Sequence, residues 1–221
     1  DEFYSLVAQS GINTIVRTDN NYITSPDTVF RSLELADQYH IYTFVHDSSI
    51  AGTATAAQRR ELLQRYMQYE YFAGLFIADE PGTDYYYANG GYEDALNRPI
   101  SAYDYAKDIN DISGLSGYVN LLPYYAEIEC GFENYKRYVQ EYCETVPNAK
   151  YLSYDHYPFD ISTGIIFKQY DLKTYFDNMT VIRDAANNMG IPFWGFIRNQ
   201  SNGQNLTEGM YQWNVNTNLA M

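Results

Sequence analysis

Short apolar runs alternate with longer amphipathic stretches along the 221 residues. Six of these runs have the length and the β-branched or aromatic character of strands: Gly11–Val16, Ile41–Val45, Gly74–Ala78, Tyr118–Leu122, Tyr151–Tyr154 and Pro192–Ile197. They recur at a pitch of about 30–44 residues, the length of a strand plus a crossover helix. The stretches between them carry helix punctuation. Ser25-Pro26 places a cap and a first-turn proline before Val29, Leu33, Leu35 and Ala36, and Ser101 with Asp104 reads as a capping box. Asp171 is expected to cap a long helix ending at Met189, with Gly190 as its left-handed terminator; Gly11 would end the first helix in the same way. Over Ala56–Tyr69, Leu62, Leu63, Tyr66 and Met67 fall on one face, which predicts a helix packed on a sheet, and Phe132–Thr145 reads as another.

Repeated βα units without a Pro/Gly/Ser linker predict a single α/β domain spanning residues 1–221. Six units are two short of a (β/α)8 TIM barrel, so the expected fold is TIM-barrel-like and incomplete. Its first and last strands would be missing, supplied by flanking domains or by a partner. The rival is an open doubly wound sheet, which normally carries a glycine-rich loop after its first strand; Val16-Arg-Thr-Asp-Asn20 has none. The opening Asp-Glu-Phe-Tyr falls inside a helical pattern, as expected of a mature or excised fragment.

Charge narrows the partners. Fourteen Lys+Arg against 28 Asp+Glu leave a net charge of −14, which repels nucleic acid and anionic membrane surfaces. No run of 18 apolar residues predicts a membrane span. Cys130 and Cys143 are read as free thiols, since thirteen helical steps at about 1.5 Å each separate them by roughly 20 Å. No metal or cofactor site is expected, because His40, His46 and His156 are scattered and no Cys/His cluster occurs. Tyrosine is over-used, 25 residues, and its flat face with a polar tip suits a half-wet cleft as well as a core. Three Asn-x-Ser/Thr matches begin at Asn178, Asn199 and Asn205, a pattern too common to carry weight.

In a parallel barrel, chemistry collects where strands end, so the residues just after each run are the candidates. They are Arg17; His46 and Asp47; Asp79 and Glu80; Tyr124 and Tyr125 with Glu127 and Glu129; Asp155, His156 and Tyr157; and Arg198, Asn199 and Gln200. The strongest element is Ala78-Asp79-Glu80-Pro81, in which two adjacent carboxylates close an apolar strand. Their mutual repulsion can raise one of them toward the range of a general acid, the group needed to protonate the leaving oxygen in acetal cleavage. Asp155 offers a second carboxylate, and His156, Tyr157 and Trp194 offer hydrogen bonds and stacking faces for a sugar.

These residues resemble a known group, the glycoside-hydrolase-like (β/α)8 proteins of bacteria that carry an Asp-Glu-Pro motif after the fourth strand. The matching segments are Gly74–Pro81, with one extra residue in the spacer, then Asp155–Phe159, and finally Phe193–Gln200 with Leu206–Ala220. The resemblance implies a carbohydrate hydrolase, with Glu80 as general acid/base and either Asp155 or Asp79 as second carboxylate. The Asp79 option is the adjacent pair of substrate-assisted N-acetylhexosaminidases. Arg17, His46, Asp47, Tyr125, His156, Tyr157, Trp194, Arg198, Asn199 and Gln200 would bind the sugar, and Tyr85, Tyr86 and Tyr87 would form cleft walls. Retaining relatives of the β-galactosidase type place a nucleophilic Glu after strand seven, where this chain has Arg198-Asn199-Gln200. The expected substrate is an oligo- or polysaccharide, in a secreted, periplasmic or cell-surface setting. The alternatives are a non-catalytic carbohydrate-binding barrel and a structural fragment of a larger cell-surface protein.

Overall fold

The computed structural model describes residues 2–17, 26–47, 56–82, 101–157 and 169–196. In chain order they form α1 (Glu2–Gln9), β1 (Thr14–Val16), α2 (Pro26–Tyr39), β2 (Tyr42–Val45), α3 (Ala56–Tyr66), β3 (Phe72–Asp79), α4 (Ala102–Asn110), β4 (Ser116–Leu121), α5 (Ala126–Glu129), α6 (Tyr135–Thr145), β5 (Leu152–Tyr154), α7 (Gln169–Met189) and β6 (Phe193–Gly195). The strands belong to one sheet in the order 1-2-3-4-5-6, with parallel pairing. A doubly wound sheet reverses direction at a switch point. This order never reverses, so the fold is the TIM-barrel type of α/β winding.

The chain divides into two compact units, Asp1–Val119 with Thr145–Lys150, and Asn120–Glu144 with Tyr151–Met221. In the first, β3 and the start of β4 are buried along nearly their whole length, as parallel strands covered on both faces are. Helix α2 turns Val29, Ser32, Leu33, Leu35 and Ala36 inward, the spacing of one helix face. Tyr4, Leu35, Ala36 and Ile41 make a local cluster with Val7, Ala8 and Ile15 around them. In the second unit, Tyr138, Val139 and Tyr142 of α6 and Tyr175, Met179, Ile182 and Ala186 of α7 are buried, as are Leu152 and Tyr154 of β5.

Several boundaries differ from the sequence expectation for definite reasons. Helix α3 stops at Tyr66, because Gln68 and Tyr69 donate their N–H groups only three residues back, to Arg65 and Tyr66. Met67 N–H still reaches the Leu63 carbonyl at 2.9 Å, yet its side chain is 41% exposed while Leu63 and Tyr66 are buried, so it lies outside the apolar face. Helix α7 runs from Gln169, so Asp171 lies inside it rather than at its cap position. Gly190 ends α7 at φ +69° as expected, with Ile191 N–H bonded to the Ala186 carbonyl. The same device ends α2 without glycine: His40 adopts φ +56° and Ile41 N–H reaches the Ala36 carbonyl. Cys130 follows α5 and Cys143 lies in α6, both half-buried free thiols. Asn178 is 1% exposed within α7, so its Asn-Met-Thr match is no glycan acceptor in the folded protein.

Ser101 caps α4 as expected, its hydroxyl accepting from Asp104 N–H at 3.0 Å and donating to the Asp104 carboxylate at 2.9 Å. Ser101→Ala is expected to cost about 1 kcal/mol. For a domain of this size that lowers the melting temperature by about 2–4 °C, and an unchanged thermal melt would contradict the assignment.

Candidate active site

The strand-end residues divide between the two units. In the first, Arg17 follows β1 and donates to the Ser32 hydroxyl, which itself bonds the Thr28 carbonyl at 2.9 Å. His46 and Asp47 follow β2. Asp47 is only 2% exposed, and its carboxylate accepts a 2.5 Å bond from the Tyr66 hydroxyl of α3. Burial, together with this carboxylate, holds the Tyr66 phenol well above the ordinary tyrosine range. Asp47 therefore sits in the wall of the unit, fastening α3 to the end of β2. His46 meets Phe76 edge-on at 6.0 Å, and its buried Nδ1 has no hydrogen-bond partner among the described residues.

Asp79 is the last residue of β3 and is exposed, and Glu80 follows it at φ +50°. A left-handed backbone costs an L-residue with a Cβ roughly 1–2 kcal/mol. Among the described residues only His40 and Glu80 adopt it without being glycine. His40 has a plain structural reason, the end of α2. Glu80 ends a strand where an apolar run gives way to Pro81, and strain of that kind concentrates at working sites.

In the second unit, Tyr124 and Tyr125 follow β4 and meet edge to face at 5.8 Å. Asp155 follows β5, and its carboxylate accepts from the Asn120 side-chain amide at 3.0 Å; Ser153 donates to the Asn120 side-chain oxygen at 3.2 Å. Two adjacent parallel strands thus hold Asp155 through a side-chain relay. His156 is 7% exposed and its Nδ1 lies 3.0 Å from the Asn178 side-chain oxygen. Tyr157 is 37% exposed. Trp194 lies within β6, flat on Tyr151 at 4.2 Å and 5°, so one of its two faces is occupied by the protein itself. Arg198, Asn199, Gln200, Tyr85, Tyr86 and Tyr87 lie outside the described residues, as does Phe159.

Burial depresses the His156 pKa to about 4 from 6.5, with the Asn178 bond opposing the shift. An unfolded chain takes up this proton as pH falls below about 6.5, whereas the folded one resists until about pH 4. Stability is therefore complete above 6.5 and is lost across that window on acidification, by up to roughly 3 kcal/mol. Urea midpoints at pH 7 and pH 4.5 should fall further apart for the parent than for His156→Gln. An equal drop would contradict the buried neutral ring.

Three residues that matter here were not singled out by strand-end reasoning. Asn178 and Tyr66 lie on helices, and Asn120 lies inside a strand. All three are nearly fully buried, at 1%, 0% and 2% exposure, and a polar or phenolic group so placed must find a partner. Tyrosine also proves to be largely a core residue, with eleven of those described below 9% exposure, Tyr154 among them. Among the described residues, no group of three or more His, Cys, Asp or Glu is arranged to hold a metal ion, and no helix is long and apolar enough to cross a membrane.

No protein-family model matches the chain, and no curated protein matches it. Solved structures do. The citrate synthase SbnG is 15% identical at a TM-score of 0.48, over 97% of this chain and 78% of that one. An HpcH/HpaI aldolase from Desulfitobacterium hafniense DCB-2 is 11% identical at 0.47, over 97% and 77%. The beta-mannanase from Thermomonospora fusca is 10% identical at 0.37, over 93% and 83%.

Proposed function

We propose that the chain is a glycoside hydrolase in which Glu80 is the general acid/base and Asp79 or Asp155 the second carboxylate. The observation that carries this reading is Glu80 itself, a carboxylate held in a strained left-handed conformation at the C-terminal end of β3, directly after the exposed Asp79. A TIM-type α/β fold presents its chemistry at that end of its strands. Cleavage of a glycosidic bond needs a proton on the departing oxygen and a carboxylate to stabilise the cationic sugar. Glu80 supplies the first need. Asp79 meets the second by orienting an N-acetyl group on the substrate, or Asp155 meets it directly. The sugar-binding roles belong to Arg17, His46, Tyr125, His156, Tyr157, Trp194, Arg198, Asn199 and Gln200, while Asp47, buried and bonded to Tyr66, is left a structural role.

The test is a screen of aryl glycosides, with and without a 2-acetamido group, against the parent, Glu80→Gln, Asp79→Asn and Asp155→Asn. Turnover by the parent that collapses in Glu80→Gln is expected. Asp79→Asn should then affect only the acetamido substrates if that carboxylate orients them, and Asp155→Asn should affect all substrates if it is the partner. Equal turnover by the parent and Glu80→Gln overturns the reading. Glycan binding by calorimetry with no turnover overturns it in favour of a non-catalytic binding protein.

A further inference from the structure

His156 is gripped by three groups from two other segments of its unit. Tyr124, after β4, tilts over the ring at 5.5 Å and 34°, and Tyr175 of α7 meets it edge-on at 5.4 Å and 68°. Asn178, one turn further along α7, places its side-chain oxygen 3.0 Å from His156 Nδ1, and the same oxygen accepts the Tyr124 backbone N–H at 2.8 Å. The second contact fixes the orientation of the amide. A backbone N–H can only donate, so the atom facing it is the oxygen and not the amide nitrogen. That oxygen can only accept, so His156 Nδ1, which also faces it, carries a proton. A neutral imidazole carries one N–H, and Nε2 is left with its lone pair.

We infer that Asn178 is a positioning residue that fixes His156 as the Nδ1–H tautomer and thereby makes Nε2 the ring's hydrogen-bond acceptor, the atom for a donor O–H or N–H on a bound ligand. The arrangement has a visible cost: among the described residues, the buried Asn178 amide nitrogen has no acceptor. An Asn kept at 1% exposure with its donor unsatisfied is explained by the work of its oxygen. Burial of the ring reinforces the neutral form. The tautomer stands whatever the chain catalyses; that the donor is a sugar hydroxyl rests on the hydrolase reading.

Among the described residues, the titratable groups in ring contact with His156 or next to it in the chain are the Tyr124, Tyr175 and Tyr157 phenols and the Asp155 carboxyl. None of them contributes the Nδ1 contact, which leaves Asn178 as the residue to vary. Two-bond ¹H–¹⁵N correlation spectra of the full chain, with His156 assigned by loss of its signals in His156→Gln, report the tautomer directly. The expected pattern is a protonated-type Nδ1 and an unprotonated-type Nε2, unchanged between pH 8 and 6. Asn178→Leu is expected to release the ring into a mixture of tautomers. Asn178→Asp keeps an acceptor for both N–H groups, so it should preserve the Nδ1–H pattern while raising the titration midpoint by at least about one pH unit through its charge. The inference is overturned by an Nε2–H pattern or by averaging in the parent. It is equally overturned if Asn178→Leu folds and leaves the pattern unchanged, or if Asn178→Asp fails to preserve it. The spectra are read on protein without substrate, so a chain lacking all turnover but showing the Nδ1–H pattern would defeat the hydrolase reading and leave this inference standing.

Discussion

Gly74→Ala is expected to destabilise the protein by more than about 4 kcal/mol, enough to lower its melting temperature by roughly 10 °C or to prevent folding. Strand β3 begins at Phe72, two residues before the sequence pattern suggested, which puts Gly74 inside the strand. The ladder to β2 shifts there: Thr43 faces Phe72 and Phe44 faces Gly74, so Ala73 is an extra residue on β3. Such a bulge bends the strand and asks one residue for an unusual backbone. Gly74 supplies it at φ +143°, and it also lets β4 approach closely. A Cβ built on Gly74 would stand 1.9 Å from the Ser116 carbonyl oxygen and 2.8 Å from its carbon. Both near atoms are backbone, so no side-chain rotation relieves the clash. The strands would have to part where Leu75, Phe76, Ile77 and Ala78 are buried and where Phe76 stacks on Tyr118 at 5.8 Å. Thermal and urea melts of the purified variant decide this, and a melting temperature within a couple of degrees of the parent would refute the steric account.

Gly74 also shows how far the sequence could be read. Its apolar neighbours announced a strand, and the glycine was legible as that strand's start. The bulge was not, because it is set by pairing with β2, nearly thirty residues away in the chain. The same division runs through the rest of the molecule. Local signals held: Pro26 opens α2, Ser101 caps α4, and Gly190 terminates α7. What the sequence did not show depended on distant neighbours. Asp47 read as a rim carboxylate because it follows a strand, and only the arrival of Tyr66 from α3 turns it into a buried anchor. For Trp194, the pairing of β5 with β6 brings Tyr151 against one face of the indole, a contact invisible in the local sequence. Asn178 carried no local signal at all, since its importance lies in two contacts with segments more than twenty residues upstream.

The second large effect concerns Glu80, where activity and stability are expected to move in opposite directions. On the hydrolase reading, Glu80→Gln removes the transferable proton but keeps the shape and the left-handed backbone. Turnover should fall by about 10²–10⁴-fold, the usual worth of general acid–base catalysis, with little change in the melting temperature. Glu80→Gly removes the acid as well, and it also relieves the backbone. A Cβ-bearing residue at φ +50° costs roughly 1–2 kcal/mol. Glycine is free of that cost, but gives back about 0.5–1 kcal/mol through the greater freedom of its unfolded chain. From the backbone alone, the net expectation is a variant as stable as the parent or more so, by up to about 1.5 kcal/mol, and without activity. A Glu80→Gly protein markedly less stable than the parent would show that the glutamate side chain holds the fold together, and that its backbone has a structural reason like that of His40. A stable but inactive variant, by contrast, identifies position 80 as one where strain is retained for chemistry. On that outcome the backbone alone would favour glycine there, and on the hydrolase reading the need for an acid would account for the glutamate.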